Sequence, residues 1–187
     1  MMQKVEFHAR SVTVSFRLDS SLRNRLANEA SKRHVSLNAY VQEVLQRSTD
    51  WDSLKQPFEF VTISREMLEI LLLQIGDADI AAMARSVFAP RLRDLSTLIR
   101  GKADLDGLLQ VLELIAKYAY PSPVTYSVRE DNGRRHIFLR HGISQKWSNY
   151  LGEGCLAYLE AIHLHGSYEA AEKSVSLTIS GKRPQRK

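Results

Sequence analysis

Residues 12–18 alternate between apolar and polar side chains, and this pattern constrains the fold of the N-terminal region more than any other feature. Val12, Val14, Phe16 and Leu18 occupy the even positions, and polar residues occupy the odd ones. A period of two predicts a β-strand with one apolar and one polar face. A single strand has two unpaired edges, so this one requires a second strand beside it.

Two amphipathic helices are predicted directly after this strand. Asp19, Ser20 or Ser21 can cap the first helix. Ser36 can cap the second, which we expect to end near Arg47. Two helices of this length bury too little apolar surface to hold a fold of roughly fifty residues. Pairing with a second copy of the chain would enlarge the core and give the strand a partner.

This order of elements resembles the ribbon-helix-helix family of Arc, the methionine repressor and the plasmid copy-number repressors. The resemblance rests on the strand VTVSFRL, the cap Asp19, the apolar stripe of the first helix, and the stretch Val35-Ser36-Leu37-Asn38. It covers about residues 10–48, roughly a quarter of the chain. It implies a homodimer whose two strands form a ribbon that enters the major groove of double-stranded DNA.

The resemblance also implies which residues contact DNA. Thr13, Ser15 and Arg17 would face the bases, and Arg17 can donate two hydrogen bonds to guanine. The alternative is that these three residues are only the solvent face of a half-buried strand. The first turn of the second helix and two basic residues would bind DNA phosphates. The alternative is that the serine is an ordinary helix cap and that the basic side chains are only solvated. The residues concerned are Ser36, Leu37, Asn38, Lys32 and Arg33.

Positive charge is concentrated at the two ends of the chain. Residues 1–50 have 8 basic and 5 acidic side chains, residues 51–180 have 14 and 16, and residues 181–187 have 4 and none. Phosphate groups attract basic segments, so this distribution favours a nucleic-acid partner. The basic tail can equally be a solvated end that binds nothing.

The sequence predicts four segments. We expect a DNA-binding domain at 1–48, a linker at 49–57, an α/β domain at 58–180 and a basic tail at 181–187. The linker prediction rests on the polar run at 48–53 and on Pro57, which disfavours a helix before it.

The second domain combines strand and helix patterns. They predict a strand at 58–63, three or four helices between 64 and 115, a hairpin around Asn132-Gly133, a helix that begins at Ser144 and a strand at 174–180. With the middle helices collapsed into one layer, the order is the βα-ββ-αβ of a ferredoxin-like sandwich with extra helices. The expected fold class is therefore α+β. We expect this domain to mediate oligomerisation or to sense an unidentified signal.

The residues that carry chemistry form no recognised motif. The sequence has no glycine-rich phosphate loop, metal-ligand spacing or nucleophile signature, so we expect no enzyme activity and no cofactor. Five aromatic residues either line a pocket for a small-molecule effector or simply belong to the hydrophobic core. These are Tyr126, Phe138, Trp147, Tyr150 and Tyr158.

Cysteine usage and hydropathy indicate the compartment. Cys155 is the only cysteine, so no disulfide can form within one chain. The first residues lack the apolar core of a secretory signal, and no apolar run is long enough to cross a membrane. We therefore expect a cytoplasmic protein without a membrane partner.

Together these features predict a sequence-specific DNA-binding transcriptional regulator, a repressor that acts as a homodimer or tetramer. The first alternative is an antitoxin-type protein, which co-purification with a small toxic partner would favour. A plasmid-maintenance protein is the second, with a broad footprint of low specificity on DNA. Enzyme activity in the C-terminal domain is the weakest alternative, and turnover that depends on Cys155 or His141 would support it.

Overall fold

The computed structural model describes residues 12–119 and 125–180. The chain divides into two compact units, Met1–Gln46 and Arg47–Lys187, whereas the sequence predicts the first boundary at residue 48. The predicted basic tail at 181–187 lies outside the described residues. Each unit has its own helices, and the described strands all belong to the second.

The first unit contains helices α1 (Ser20–Lys32) and α2 (Leu37–Arg47). The carboxylate of Asp19 accepts a hydrogen bond from the backbone N–H of Leu22 at 2.8 Å, and the hydroxyl oxygen of Ser36 accepts one from Ala39 at 3.1 Å. Both side chains thereby pair N–H groups that the first turn of a helix leaves without partners. The caps predicted at Asp19 and Ser36 are confirmed.

The strand predicted at 12–18 is not formed. Residues 12–19 have no regular secondary structure, so the described part of the first unit is helical only and a ribbon-helix-helix fold is not shown. The physical reason is that a β-strand requires a neighbour to hydrogen-bond with, and alternation of side chains does not supply one.

The second unit begins with a series of helical segments. Asp104 caps one helix through the N–H of Gly107, and Gly101, with φ 76°, ends the preceding one in the left-handed region that glycine favours. The α-helices are α3 (Ser53–Lys55), α4 (Arg65–Leu73), α5 (Asp77–Met83), α6 (Ala89–Arg100) and α7 (Leu105–Leu114). Single π-helical turns cover Ser48–Asp52, Ala84–Phe88 and Ile115–Ala119.

Residues 49–63 differ from the sequence prediction. The region at 49–57, for which we expect a linker, is helical, and its Trp51 is buried beside the ring of Tyr118. The strand predicted at 58–63 is absent, because a 3₁₀ turn ends at Phe58 and Glu59 has a positive φ of 51°. The ring of Phe60 stacks on Trp51 with centroids 6.0 Å apart, so this stretch is held by ring packing instead of by a sheet.

The strands form one antiparallel sheet in the order β1-β2-β4-β3. They are β1 (Thr125–Asp131), β2 (Arg134–Arg140), β3 (His165–Ala171) and β4 (Ser174–Ser180), with helix α8 (Gln145–Ala161) between β2 and β3. The predicted hairpin is confirmed, with Asn132 and Gly133 both at positive φ. The ferredoxin-like order is not formed, since the strand at 58–63 is missing and β3 is an additional one. The α+β class is confirmed.

One face of the sheet packs against α8 and the middle helices. Ile137 and Leu139 of β2 and Val175, Leu177 and Ile179 of β4 point into this core and are nearly inaccessible to water. The alternate residues of the same strands form the opposite face, which is half-buried or exposed. Period-two alternation in β2 and β4 therefore separates a core face from an open face.

Candidate functional sites

The three residues predicted to contact bases lie on the irregular segment at 12–18. Thr13, Ser15 and Arg17 are all exposed. The apolar residues between them are exposed as well, with exposed fractions of 78% for Val12 and 64% for Phe16. The segment thus alternates between apolar and polar residues as a half-buried strand does, but its apolar side chains are exposed to water.

The residues predicted to bind phosphate have partners within the first unit. Lys32 donates to the carboxylate of Glu29 at 2.6 Å, and that hydrogen bond raises the pKa of Lys32. Arg33 donates to Glu43 at 3.0 Å, and its guanidinium lies 5.0 Å from the centroid of the Tyr40 ring. Because both charges are paired, their attraction for phosphate is weaker than that of a free cation.

Arg33 also has a structural role. Its ion pair joins the residue that follows α1 to the middle of α2, ten residues along the chain. Leu37 and Asn38 lie in the first turn of α2, where helix geometry leaves backbone N–H groups without intrahelical acceptors. The hydroxyl of Ser36 accepts from Ala39, so the ordinary capping role of Ser36 is present whether or not it contacts DNA.

A buried histidine and a buried serine form an enclosed polar site in the second unit. The backbone N–H of Ile143 donates to Nδ1 of His141 at 3.0 Å, so Nδ1 is unprotonated. The proton of the neutral ring is therefore on Nε2, which lies 2.9 Å from the hydroxyl oxygen of Ser148 and donates to it. Burial, together with the positive charge of Arg65, lowers the pKa of His141 to about 4.

The direction of these hydrogen bonds decides what the pair can do chemically. A serine nucleophile must give its proton to the histidine, but here the imidazole is the donor. The hydroxyl of Ser148 donates instead to the carbonyl oxygen of Ala171. The pair therefore holds the end of β2, the start of α8 and the β3–β4 hairpin together. Sequence reasoning misses this site, because nothing in the spacing of His141 and Ser148 indicates that both are buried.

Cys155 is also buried, in the core face of α8. Burial raises the pKa of its thiol to about 12. Since the thiolate is the reactive form, this cysteine is inert toward nucleophilic and redox chemistry in the folded state.

The aromatic residues predicted as an effector pocket do not come together in one. Tyr126 and Tyr158 pack in the main core, where the Tyr158 hydroxyl lies 2.9 Å from that of Ser96. Trp147 and Tyr150 stack on each other with centroids 5.0 Å apart, whereas Phe138 lies on the open face of the sheet. A groove of about 580 Å³ crosses that open face, where Nδ1 of His136 lies 3.1 Å from the hydroxyl of Thr178.

Within residues 12–119 and 125–180, no three His, Cys, Asp or Glu side chains come together in a way that could hold a metal ion. None of the described helices has the length and apolar character needed to cross a membrane.

The structure defines a two-unit α+β protein with a short helical N-terminal unit, and comparison with known families concerns that unit. Residues 8–45, about a fifth of the chain, match the HicB family, which is associated with toxin–antitoxin systems. No curated protein and no solved structure matches the chain.

The family match corrects the resemblance drawn from the sequence. Assignment of residues 10–48 to the ribbon-helix-helix family of Arc and the methionine repressor is wrong, because the family found there is HicB. The assignment relied on a seven-residue alternation, a cap and two amphipathic helices. Such features specify local structure, which unrelated families share, and the alternating segment is not a strand in this structure.

Proposed function

We propose that this chain is an antitoxin-type protein, in which the first unit binds DNA as a dimer and the second unit binds a small toxic partner protein. The observation that carries the proposal is the HicB-family match at residues 8–45. The independently packed second unit supports it, since a folded domain of this size offers a surface on which a partner protein can bind.

Pairing of the first unit with a second copy is supported by its exposed apolar residues. Ala30 is the one residue of α1 and α2 that is buried. Val12, Val14, Phe16 and Leu18 all have exposed fractions above 40%. A unit with so little core gains stability when a second copy covers these side chains.

DNA binding by this dimer is supported by charge and by the exposure of Arg17. An arginine that is free of local structure can place its guanidinium against O6 and N7 of guanine. Lys32 and Arg33 would contact phosphates beside the same DNA, with contributions reduced by their existing ion pairs.

We also propose that the chain has no catalytic activity of its own. Ser148 receives a hydrogen bond from His141 and donates to a backbone carbonyl, which is the reverse of an activated nucleophile. Cys155, on which enzyme activity could also depend, is buried as a thiol. Turnover that survives in a Ser148→Ala, Cys155→Ala double variant would require some other site.

The second candidate function is a transcriptional repressor that acts without a toxin. Both functions include DNA binding, so the partner protein distinguishes them. Exposed apolar residues on the first unit support a DNA-binding dimer equally in both cases.

The test of the antitoxin proposal uses the tagged full-length chain expressed in its own host. We expect it to retain one small protein in stoichiometric amount, whose expression alone arrests growth. Co-expression of this chain should restore growth, whereas a chain that lacks residues 47–187 should not. A stable chain that neutralises no retained protein, yet selects a defined duplex from random DNA, would favour the repressor instead.

A further inference from the structure

The second unit exposes a stretch of apolar side chains between residues 61 and 73. Six large apolar residues within these thirteen positions have exposed fractions between 46% and 83%. We call this surface the α4 patch, and it consists of Val61, Ile63, Met67, Ile70, Leu71 and Leu73. Scattered apolar side chains are normal on protein surfaces, but a run of this density is not.

Helix α4 is apolar on two opposite sides. Leu68 and Leu72 face the interior, where they pack with Ile80 and Ile143. Met67, Ile70 and Leu73, at i, i+3 and i+6, lie on the side opposite the buried pair and are exposed. Leu71, also exposed, lies between the two sides. A surface helix normally has one apolar stripe and buries it, so the second, exposed stripe of α4 marks a surface that a partner can cover.

The area of the α4 patch suits the centre of a stable interface. The six side chains are each about half exposed or more, so together they leave a few hundred Å² of apolar surface in water. The largest apolar patch on a typical monomer covers about 300–600 Å², and each partner in a stable complex contributes about 800 Å². The patch is therefore large enough to form the apolar centre of a standard interface.

Charge at the patch favours a partner of the same kind. Arg65 and Glu69 on the rim pair with each other at 2.9 Å, so they neutralise one another within the chain. Glu66 is the remaining charge on α4. Lys146 of α8 adds a positive charge at the end of α4, where its ammonium donates to the carbonyl oxygens of Leu73 and Ile75. These four charges sum to zero, so the patch has no net charge that would repel a second copy.

We propose that the α4 patch is a self-association surface, covered by the α4 patch of a second copy of this chain across a two-fold axis. A two-fold interface brings the same surface of both copies together. With the axis near Ile70, the two helices lie antiparallel, and Met67 of one copy faces Leu73 of the other. The proposal is independent of the antitoxin and DNA roles, and it gives the second unit an association surface of its own.

The first test is disulfide crosslinking of the full chain. Cys155 is buried, so a cysteine introduced at Ile70 is the accessible thiol of an Ile70→Cys variant. Two such thiols meet at the proposed axis, and mild oxidation should give a crosslinked dimer on a non-reducing gel. Leu98→Cys is the matched control, because Leu98 of α6 is as exposed, at 54%, and lies outside the patch. Equal crosslinking of the two variants would overturn the proposal.

The second test measures self-association by sedimentation. The Ile70→Glu, Leu71→Glu variant places two like charges on each side of the axis, and we expect association through this surface to weaken by at least about tenfold. Leu98→Glu is the control and should sediment like the wild type. Because these side chains are exposed, the variants should retain the wild-type circular dichroism spectrum.

Each outcome has a distinct meaning. The Phe16→Glu variant, which disrupts pairing of the first unit, should still associate through α4, and only the combination of both changes should give monomers. Unchanged self-association in the Ile70→Glu, Leu71→Glu variant would overturn the proposal.

If that variant loses a toxic partner while its self-association is unchanged, the patch binds the partner protein and the self-association proposal is wrong. Neutralisation of a toxin is read separately, so failure of the antitoxin proposal would not be confused with either result.

Discussion

Nε2 of His141 lies 2.9 Å from the hydroxyl oxygen of Ser148, and through this hydrogen bond the end of β2 is joined to the first turns of α8. The other ring nitrogen of His141 accepts from the backbone of Ile143. The contact with Ile143 requires the neutral imidazole, because a protonated ring has no acceptor, whereas donation from Nε2 to Ser148 does not. The pair therefore couples the stability of the second unit to pH.

We predict that the free energy of unfolding falls as the pH decreases from about 6.5 to 4. The pKa of His141 is about 4 in the folded state, against 6.5 in an unfolded chain, so the unfolded state binds more protons within this window. The stabilising contribution of the neutral His141 is fully present above pH 6.5. Up to about 3 kcal/mol of it is lost by pH 4. Urea unfolding at several pH values measures it.

Carboxylates titrate in the same window, so variants are needed to isolate the histidine. His141→Gln keeps a donor and an acceptor but does not titrate, and its stability should depend less steeply on pH than that of the wild type. His165→Gln, at an exposed position of β3, is the control and should keep the wild-type slope. If His141→Gln and the wild type have the same slope, the pair is not the titrating group.

We predict that Gly107→Ala destabilises the second unit, although alanine favours helix formation. A Cβ atom at position 107 would lie 1.9 Å from the hydroxyl oxygen of Ser96, which is buried and hydrogen-bonded to Tyr158. Overpacking of this kind costs about 1–3 kcal/mol. Ser96→Ala should partly rescue the variant, since it removes the clashing atom. Thermal unfolding of the two single variants and the double variant gives the coupling energy, and additive effects would contradict the prediction.

We predict different effects on DNA binding for Arg17→Ala and Lys32→Ala. Loss of the guanidinium at position 17 should reduce discrimination between the selected and a scrambled duplex by about 1–3 kcal/mol. Lys32→Ala should weaken binding to both duplexes alike. It should reduce the salt dependence of binding by at most about one phosphate contact, because Glu29 already pairs with Lys32. Fluorescence anisotropy at several salt concentrations separates the two effects. Uniform weakening by Arg17→Ala would exclude base contact at that position.

We predict that the native protein does not react with a thiol reagent at pH 8. Burial raises the pKa of Cys155 to about 12, so the folded chain contains almost no thiolate at this position. In urea the same thiol should react at once, and the rate of labelling in intermediate urea should follow unfolding. Rapid labelling of one thiol per native chain would contradict the buried position.

Local signals in the sequence predict much of the second unit. The cap at Ser144 and the broad apolar face that follows it predict α8, and Asn132-Gly133 predicts the β1–β2 hairpin, because both depend on residues close in the chain. Strand β3 has no such signal. Its sequence, HGSYEAA, has few β-branched or aromatic residues, and its place depends on pairing with β4.

Residues 12–18 and 58–63, both predicted as strands, are not strands within the single chain, and one property of the sequence signal explains both. Alternation reports which side of a segment is apolar, but it does not report whether a neighbouring strand exists. In the same way, the cap residues Asp19 and Ser36 are where the sequence predicts them, while the family assignment built on them is wrong. The pairing of His141 with Ser148 depends on tertiary packing, which the spacing of residues does not encode.

The strand order has a consequence for the rate of folding. Each hairpin closes over a two-residue turn, so β1–β2 and β3–β4 pair between residues that are close in sequence. The β2–β4 ladder instead joins Arg135 to Ile179 and requires the intervening chain, including α8, to close into a loop first. Because loop closure across long separations is slow, we expect the two hairpins to form early and their docking along β2–β4 to limit the rate at which the sheet appears.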